Sequence, residues 1–212
     1  MTKTAPEFYK ELVEKFPFEP TILQSLLLEN LSDFIFNSSN NSLFLIKGYA
    51  GTGKTTTIST VVNNLWRVGK KAVLLAPTGR AAKVISGYAK RQAFTIHKKI
   101  YFPKKNKSGG VDFTLQTNKH TNTIFIIDEA SMIPDSPSNA KLFENGSLLD
   151  DLISYVYSGH LCKLILIGDT AQLPPVKLAI SPALEEDRLE ADYHKNVKKI
   201  ELNEVTRQHE NS

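Results

Sequence analysis

The sequence predicts an α/β fold, a three-layer sandwich around a mostly parallel sheet. Short β-rich apolar runs recur at 42–47, 71–76, 123–128, 162–169 and 198–205. Continuous apolar runs of this kind suit strands buried on both faces, as in parallel sheets. Helical patterns lie between them, and strand–helix alternation is the signature of this architecture. The 212 residues bound the chain to one domain of ordinary size or two very small ones.

Taken in order, "TILQSLLLENLSDFIF" carries apolar residues at 22, 23, 26, 27, 31, 34 and 35, a helical spacing. After strand 42–47, "KTTTISTVVNNLWRVG" runs as a helix to Gly69, a natural C-terminal stop. Strand 71–76 leads to a helix over "GRAAKVISGYAKR". Residues 101–122 hold Ser108-Gly109-Gly110 between two strand-like arms and are expected to form a small hairpin insertion. After strand 123–128, residues 134–147 are loop-like, with two prolines and a glycine. "GSLLDDLISYVYSG" is a helix ending at Gly159, and strands 162–169 and 198–205 follow. The acidic stretch 184–192 is expected at the surface.

Composition narrows the setting. The 41% apolar and 23% charged fractions are those of a soluble globular protein. The single cysteine, Cys162, excludes an internal disulfide framework and suits a reducing compartment. No apolar run approaches the roughly 18 residues of a membrane span, and the N-terminus has no apolar signal region. A cytosolic, cytoplasmic protein without membrane partners is expected. The net charge of +4 is unevenly spread: residues 80–120 hold ten Lys/Arg against Asp112 alone. Such a segment is either a solvated basic face or a track for a polyanion.

The loop "GYAGTGKTT" (48–56) fits G-x-x-x-x-G-K-[ST] between a strand and a helix, the context that pattern requires. Gly48, Gly51 and Gly53 let the backbone turn successive N–H groups inward, so that the loop through Thr52 and Thr56 can cradle phosphate. The helix start adds its positive dipole end. Lys54 is placed to reach the β- and γ-phosphates of ATP, and Thr55 to ligate Mg²⁺. "IFIIDEAS" ends a strand in two carboxylates: Asp128 is placed for the Mg²⁺ shell, and Glu129 to orient and deprotonate water. "LILIGDTAQLPPV" ends another, so Gln172 is expected beside the γ-phosphate, with Asp169 bracing its loop. Thr78, Thr95 and His97 can donate to a phosphodiester backbone, with His97 equally suited to a structural role, and Tyr101 or Phe102 can stack on bases. Arg80 and Lys98 stand beside them, and Lys98 and Lys99 are expected on one phosphate track.

Together "GYAGTGKTT", "APTGRAAK", "TIH", "DEASM", "GDTAQLPPV" and "LNEVTRQ", in this order, resemble the first RecA-like lobe of superfamily 1 DNA helicases, in the branch of RecD and Dda. The resemblance spans roughly residues 17–208. It implies a P-loop NTPase of RecA-like fold that uses ATP and Mg²⁺ to move 5′ to 3′ on single-stranded DNA and open duplex DNA at a fork. It implies that Pro77, Thr78, Gly79, Thr95 and His97 contact single-stranded DNA. Gln24 is similar to the family's adenine-reading glutamine, although the helical pattern also allows a plain surface residue there. Arg207 takes the place of the arginine that faces the γ-phosphate. The hairpin 101–122 corresponds to the family's strand-separating pin, although its Ser-Gly-Gly tip carries no aromatic. Such helicases have a second RecA-like lobe, so the chain is expected to be a fragment of weak or no ATPase activity by itself.

Two rival readings start from the same residues. An RNA-directed superfamily 1 helicase is disfavoured by "DEAS" and "APTGRAA", and a stand-alone P-loop binding module by the ordered DNA-contact motifs.

Overall fold

The structure, a computed structural model, describes residues 3–105, 111–134, 147–169 and 181–204. The chain opens with α1 (Ala5–Glu14) and α2 (Ile22–Phe36), then β1 (Ser42–Gly48), α3 (Lys54–Asn64), β2 (Lys71–Ala76), α4 (Gly79–Ala89), β3 (Ala93–Thr95) and α5 (Ile96–Ile100). It continues through β4 (Tyr101–Lys105), β5 (Val111–Leu115), β6 (Thr123–Ile127), α6 (Leu148–Ser158), β7 (Lys163–Gly168), α7 (Glu186–Ala191) and β8 (Asn196–Leu202). Six strands form one sheet in the order β3-β2-β6-β7-β1-β8, and every pairing in it is parallel.

Both faces of the sheet are covered, which explains the unbroken apolar runs. Phe44, Ile46, Leu74, Ile126 and Ile165 point to the layer of α1, α2, α3 and α4. Leu43, Leu45, Leu75, Phe125 and Leu164 point to the layer of α5, α6 and α7. The two sets alternate along each strand, as side chains of a pleated strand must. No helix among the described residues is long and apolar enough to cross a membrane.

Three helices were not expected: α1, α5 and α7. The N-terminal α1 begins with a capping box between Thr4 and Glu7 and a proline in its first turn. Its Glu11 pairs with Arg67, just past the end of α3, at 2.8 Å. The six-residue α7 falls in the acidic stretch expected only to be surface. The last strand ends at Leu202 rather than 205, because its register runs from Ser42↔Asn196 to Gly48↔Leu202 and stops where β1 stops.

The hairpin is shorter than expected. β4 and β5 pair antiparallel from Tyr101↔Leu115 to Lys105↔Val111. Residues 116–122 anchor it instead. The Gln116 backbone N–H donates to Ile100 O, and its side-chain amide to Tyr101 O at 2.7 Å. The Asn118 amide donates to Tyr155 O and Val156 O, carbonyls in the last turn of α6. Residues 106–110, with the expected Ser-Gly-Gly turn, and the loop expected at 134–147, apart from Pro134 and Ser147, lie outside the described residues.

Candidate functional site

All six parallel strands end at one edge, where an open parallel sheet binds ligands. The loop after β1 leads into α3 at that edge. Gly53 is the N-cap of α3 with φ +83°, and a Cβ there would lie 2.2 Å from Gln24 Nε2. A Cβ at Gly48 would lie 2.5 Å from Leu202 O, so glycine lets β8 approach the start of the loop. Gln24 is buried, with its Oε1 accepting from Thr21 N–H and its amide donating to Thr52 O at 3.3 Å. The surface-residue alternative for Gln24 is therefore corrected: it braces the loop against the capping box of α2.

The Lys54 ammonium donates to Gly48 O at 2.6 Å and Tyr49 O at 2.8 Å, folded over its own loop. Thr52 is buried, and its hydroxyl donates to Tyr49 O at 2.9 Å. A cavity of about 610 Å³ opens above, lined by residues 50–56, Val84, Tyr88, Asp128, Glu129 and Asp169. Thr55 and Thr56 are in this lining.

Asp128 follows β6, and its backbone N–H donates to Leu75 O at 3.0 Å. Glu129 stands in the left-handed region, φ +56°, with its N–H donating to Asp128 Oδ1 at 3.0 Å. A non-glycine residue rarely adopts this conformation, and such strain gathers at working sites. Burial, then the neighbouring Glu129 charge, push the Asp128 pKa up to about 6. Burial lowers the Lys54 pKa, opposed by Asp169, Asp128 and Glu129 in that order. Asp169 thus belongs to the charge balance of the cavity rather than merely bracing its loop. Its place after β7 was the available signal. Val84 and Tyr88 of α4 gave none, since nothing in their spacing separates them from a solvated face. Gln172 and Arg207 lie outside the described residues.

The residues expected on nucleic acid gather at the same edge. Thr78 caps α4 by accepting from Ala81 N–H at 3.2 Å, and Thr95 caps α5 by accepting from Lys98 N–H at 3.2 Å. Register Ala76↔Thr95 sets the two caps side by side, with Pro77 and Gly79 flanking Thr78. Arg80, His97 and Lys98 are exposed. Two expectations need correction. Tyr101 is buried, its hydroxyl donating to Asp151, and cannot stack on bases, whereas Phe102 is 61% exposed. Lys98 and Lys99 do not share a track, because Lys99 turns back over the Phe94 ring, 5.6 Å from its centre.

The family model described as AAA domain matches residues 32–178. The ATP-dependent RecD2 DNA helicase of Deinococcus radiodurans is 29% identical over 151 residues, which cover 71% of this chain and 18% of that protein. The ATP-dependent DNA helicase dda of Enterobacteria phage T4 is 30% identical over 167 residues, 76% of this chain and 34% of that protein. The chain therefore spans a minor share of both relatives' length. The crystal structure of the Pif1 helicase from Candida albicans has a like fold, with TM-score 0.53 and 21% identity over 89% of this chain and 40% of that one. With a match over more than half its residues, and its motifs ordered along one RecA-like sheet edge, the chain belongs to the AAA domain family as an N-terminal lobe of the superfamily 1 helicase type, RecD- and Dda-like.

Proposed function

We propose that the chain is the ATP-binding motor lobe of a DNA helicase, coupling Mg-ATP hydrolysis to 5′-to-3′ movement on single-stranded DNA and to duplex opening at a fork. The observation that carries this reading is the shared edge: the phosphate loop, the Asp128–Glu129 pair and the Thr78 and Thr95 caps all stand at the carboxyl ends of one parallel sheet.

The roles follow from chemistry. N–H groups of Gly51, Thr52, Gly53, Thr55 and Thr56, with the α3 dipole, hold the phosphates. The Lys54 ammonium leaves the Gly48 and Tyr49 carbonyls for phosphate oxygens, exchanging neutral acceptors for charged ones. Gln24, whose amide both donates and accepts, reads adenine by exchanging its bonds to Thr21 N–H and Thr52 O for bonds to the base. The donor set fits Mg²⁺, a hard ion that takes oxygen ligands: Thr55 and Asp128 would hold it, in a cavity where, among the described residues, Lys54 faces three carboxylates. When bound, the ion neutralises charge on the phosphate oxygens. Glu129 orients water and accepts its proton. Gln172 and Arg207 keep the roles implied by the resemblance, beside the γ-phosphate, with a second RecA-like lobe completing the site. Pro77, Thr78, Gly79, Arg80, Thr95, His97 and Lys98 hold the single strand by its backbone.

Calorimetry with Mg-ATP, and titration with a labelled single strand against unlabelled DNA and RNA competitors, test this reading. Wild type should bind both ligands and prefer DNA. Lys54→Ala should remove tight nucleotide binding with the melting temperature kept. Unchanged ATP affinity in that variant, or equal competition by RNA, would count against the proposal.

A further inference from the structure

Basic side chains also cover a flank of the sheet that the nucleotide and single-strand residues do not use. Lys71, Val73 and Leu75 of β2 share one face by strand alternation. Register sets Phe94 of β3 beside Leu75, and Phe125 of β6 beside Val73, on that same face. Lys99 lies over Phe94, and His120 packs edge-on against Phe125 with ring centres 5.3 Å apart. Lys71 stands exposed at the start of β2, and Lys119 is exposed next to His120.

The charges here are of one sign. Burial, and after it Lys99 and Lys71, push the His120 pKa down, and no carboxylate of the described residues is among the causes. From Lys71 to Leu75 the strip runs about 13 Å, at 3.3 Å per residue. Lys99 follows Lys98 in α5 and stands two residues before Tyr101, where the hairpin begins.

We propose that Lys71, Lys99 and His120, with Lys119 beside them, seat the phosphate backbone of a DNA duplex on this flank, at the foot of the hairpin. The inference rests on the DNA-helicase reading and adds a site to it. The strip offers cations without a stacking surface, since Phe125 is buried and Lys99 covers Phe94. Single-strand binding draws on aromatic stacking, whereas a duplex with its bases paired is held through its phosphates. Continuity with Lys98 places the duplex next to the single-stranded path.

The 212-residue chain is titrated with a dT strand, a blunt duplex, and that duplex carrying the dT strand as a tail, over a range of salt. The tailed duplex should bind more tightly than the tail alone. In Lys71→Gln/Lys99→Gln the advantage should vanish, and the log–log salt slope for the tailed duplex should be shallower by about 2, near one per lysine–phosphate contact. Binding of the tail alone should be unchanged. If Lys99→Gln unsettles Phe94 and lowers the melting temperature, the single Lys71→Gln variant serves, with about half that change in slope. A normal tail affinity with a slope indifferent to these lysines overturns the strip and leaves the single-strand reading standing. Loss of tail binding in wild type, with duplex binding still dependent on the lysines, overturns the single-strand reading and leaves the strip. Lysine-dependent binding of poly-glutamate without duplex binding overturns the proposal in favour of an acidic protein partner.

Discussion

The Tyr101 hydroxyl donates to the Asp151 carboxylate at 2.6 Å, with both residues buried. Tyr101 opens the hairpin, and Asp151 lies in the first turn of α6, where the helix dipole favours a negative charge. The bond bolts an excursion of the chain to a core helix, and the Asn118 amide fastens the returning segment to the last turn of the same helix.

Tyr101→Phe removes one partner of a buried carboxylate while keeping the ring. It should cost about 1–3 kcal/mol, read as a lower denaturation midpoint. Hydrogen exchange should accelerate most in residues 101–105 and 111–115. Unchanged exchange there would mean that the hairpin is held by its backbone contacts alone.

Asp128 makes the stability of the ligand-free lobe fall as pH rises toward neutral. Its carboxyl is raised from 3.8 to about 6, so the folded state binds the proton more tightly than the unfolded state. That contribution to stability is full below 3.8 and is lost as pH rises through about 6. Asp128→Asn keeps the size and removes the titration. Its melting temperature relative to wild type should therefore climb between pH 3.8 and about 6 and then level off. A difference that stays constant across that window would show that Asp128 titrates normally.

Much of this was legible in the sequence because parallel strands are buried on both faces, so a whole strand reads as one apolar run. The run 71–76 coincides with β2. The loop 48–56 was equally legible, since its turns and N–H groups are local in the chain. Contacts between distant residues were not. Gln24 reaches Thr52 across 28 positions, and nothing in a helical leucine-rich pattern marks that glutamine as buried. Lys163 at the start of β7 reads as a solvated strand end yet lies beneath the end of α2. The helix α1 carries a local signal, the capping box of Thr4 and Glu7 with a proline in the first turn.

Glu129→Gln should retain Mg-ATP binding and lose turnover in a protein that carries both lobes, because the amide keeps the hydrogen bonds and loses the basicity. Single-turnover hydrolysis with and without single-stranded DNA measures this. Hydrolysis at the parental rate would place the base on another residue, and Asp169, in the same cavity, would be the next to test.

Lys163 sets two opposing effects against each other. Its ammonium donates to Phe34 O and Asn37 O at the end of α2 and sits 4.9 Å from the centre of the Phe34 ring. These contacts supply donors to carbonyls that the helix leaves open. Burial, with a smaller contribution from Lys70, lowers its pKa from 10.5 to about 8. Lys163→Met fills similar space, leaves those carbonyls without this donor, and relieves the buried charge. Removing a donor from buried acceptors costs about 1–3 kcal/mol, so the variant should be the less stable at pH 7. The pH dependence gives the sharper test. Between about 8 and 10.5 the unfolded chain holds a proton that the folded chain has released, so wild type gains stability as pH rises through that window. The deficit of Lys163→Met should therefore widen from pH 8 to pH 10, measured by denaturant unfolding at each pH. A deficit that narrows would mean that the helix carbonyls hold the ammonium charged more strongly than burial discharges it.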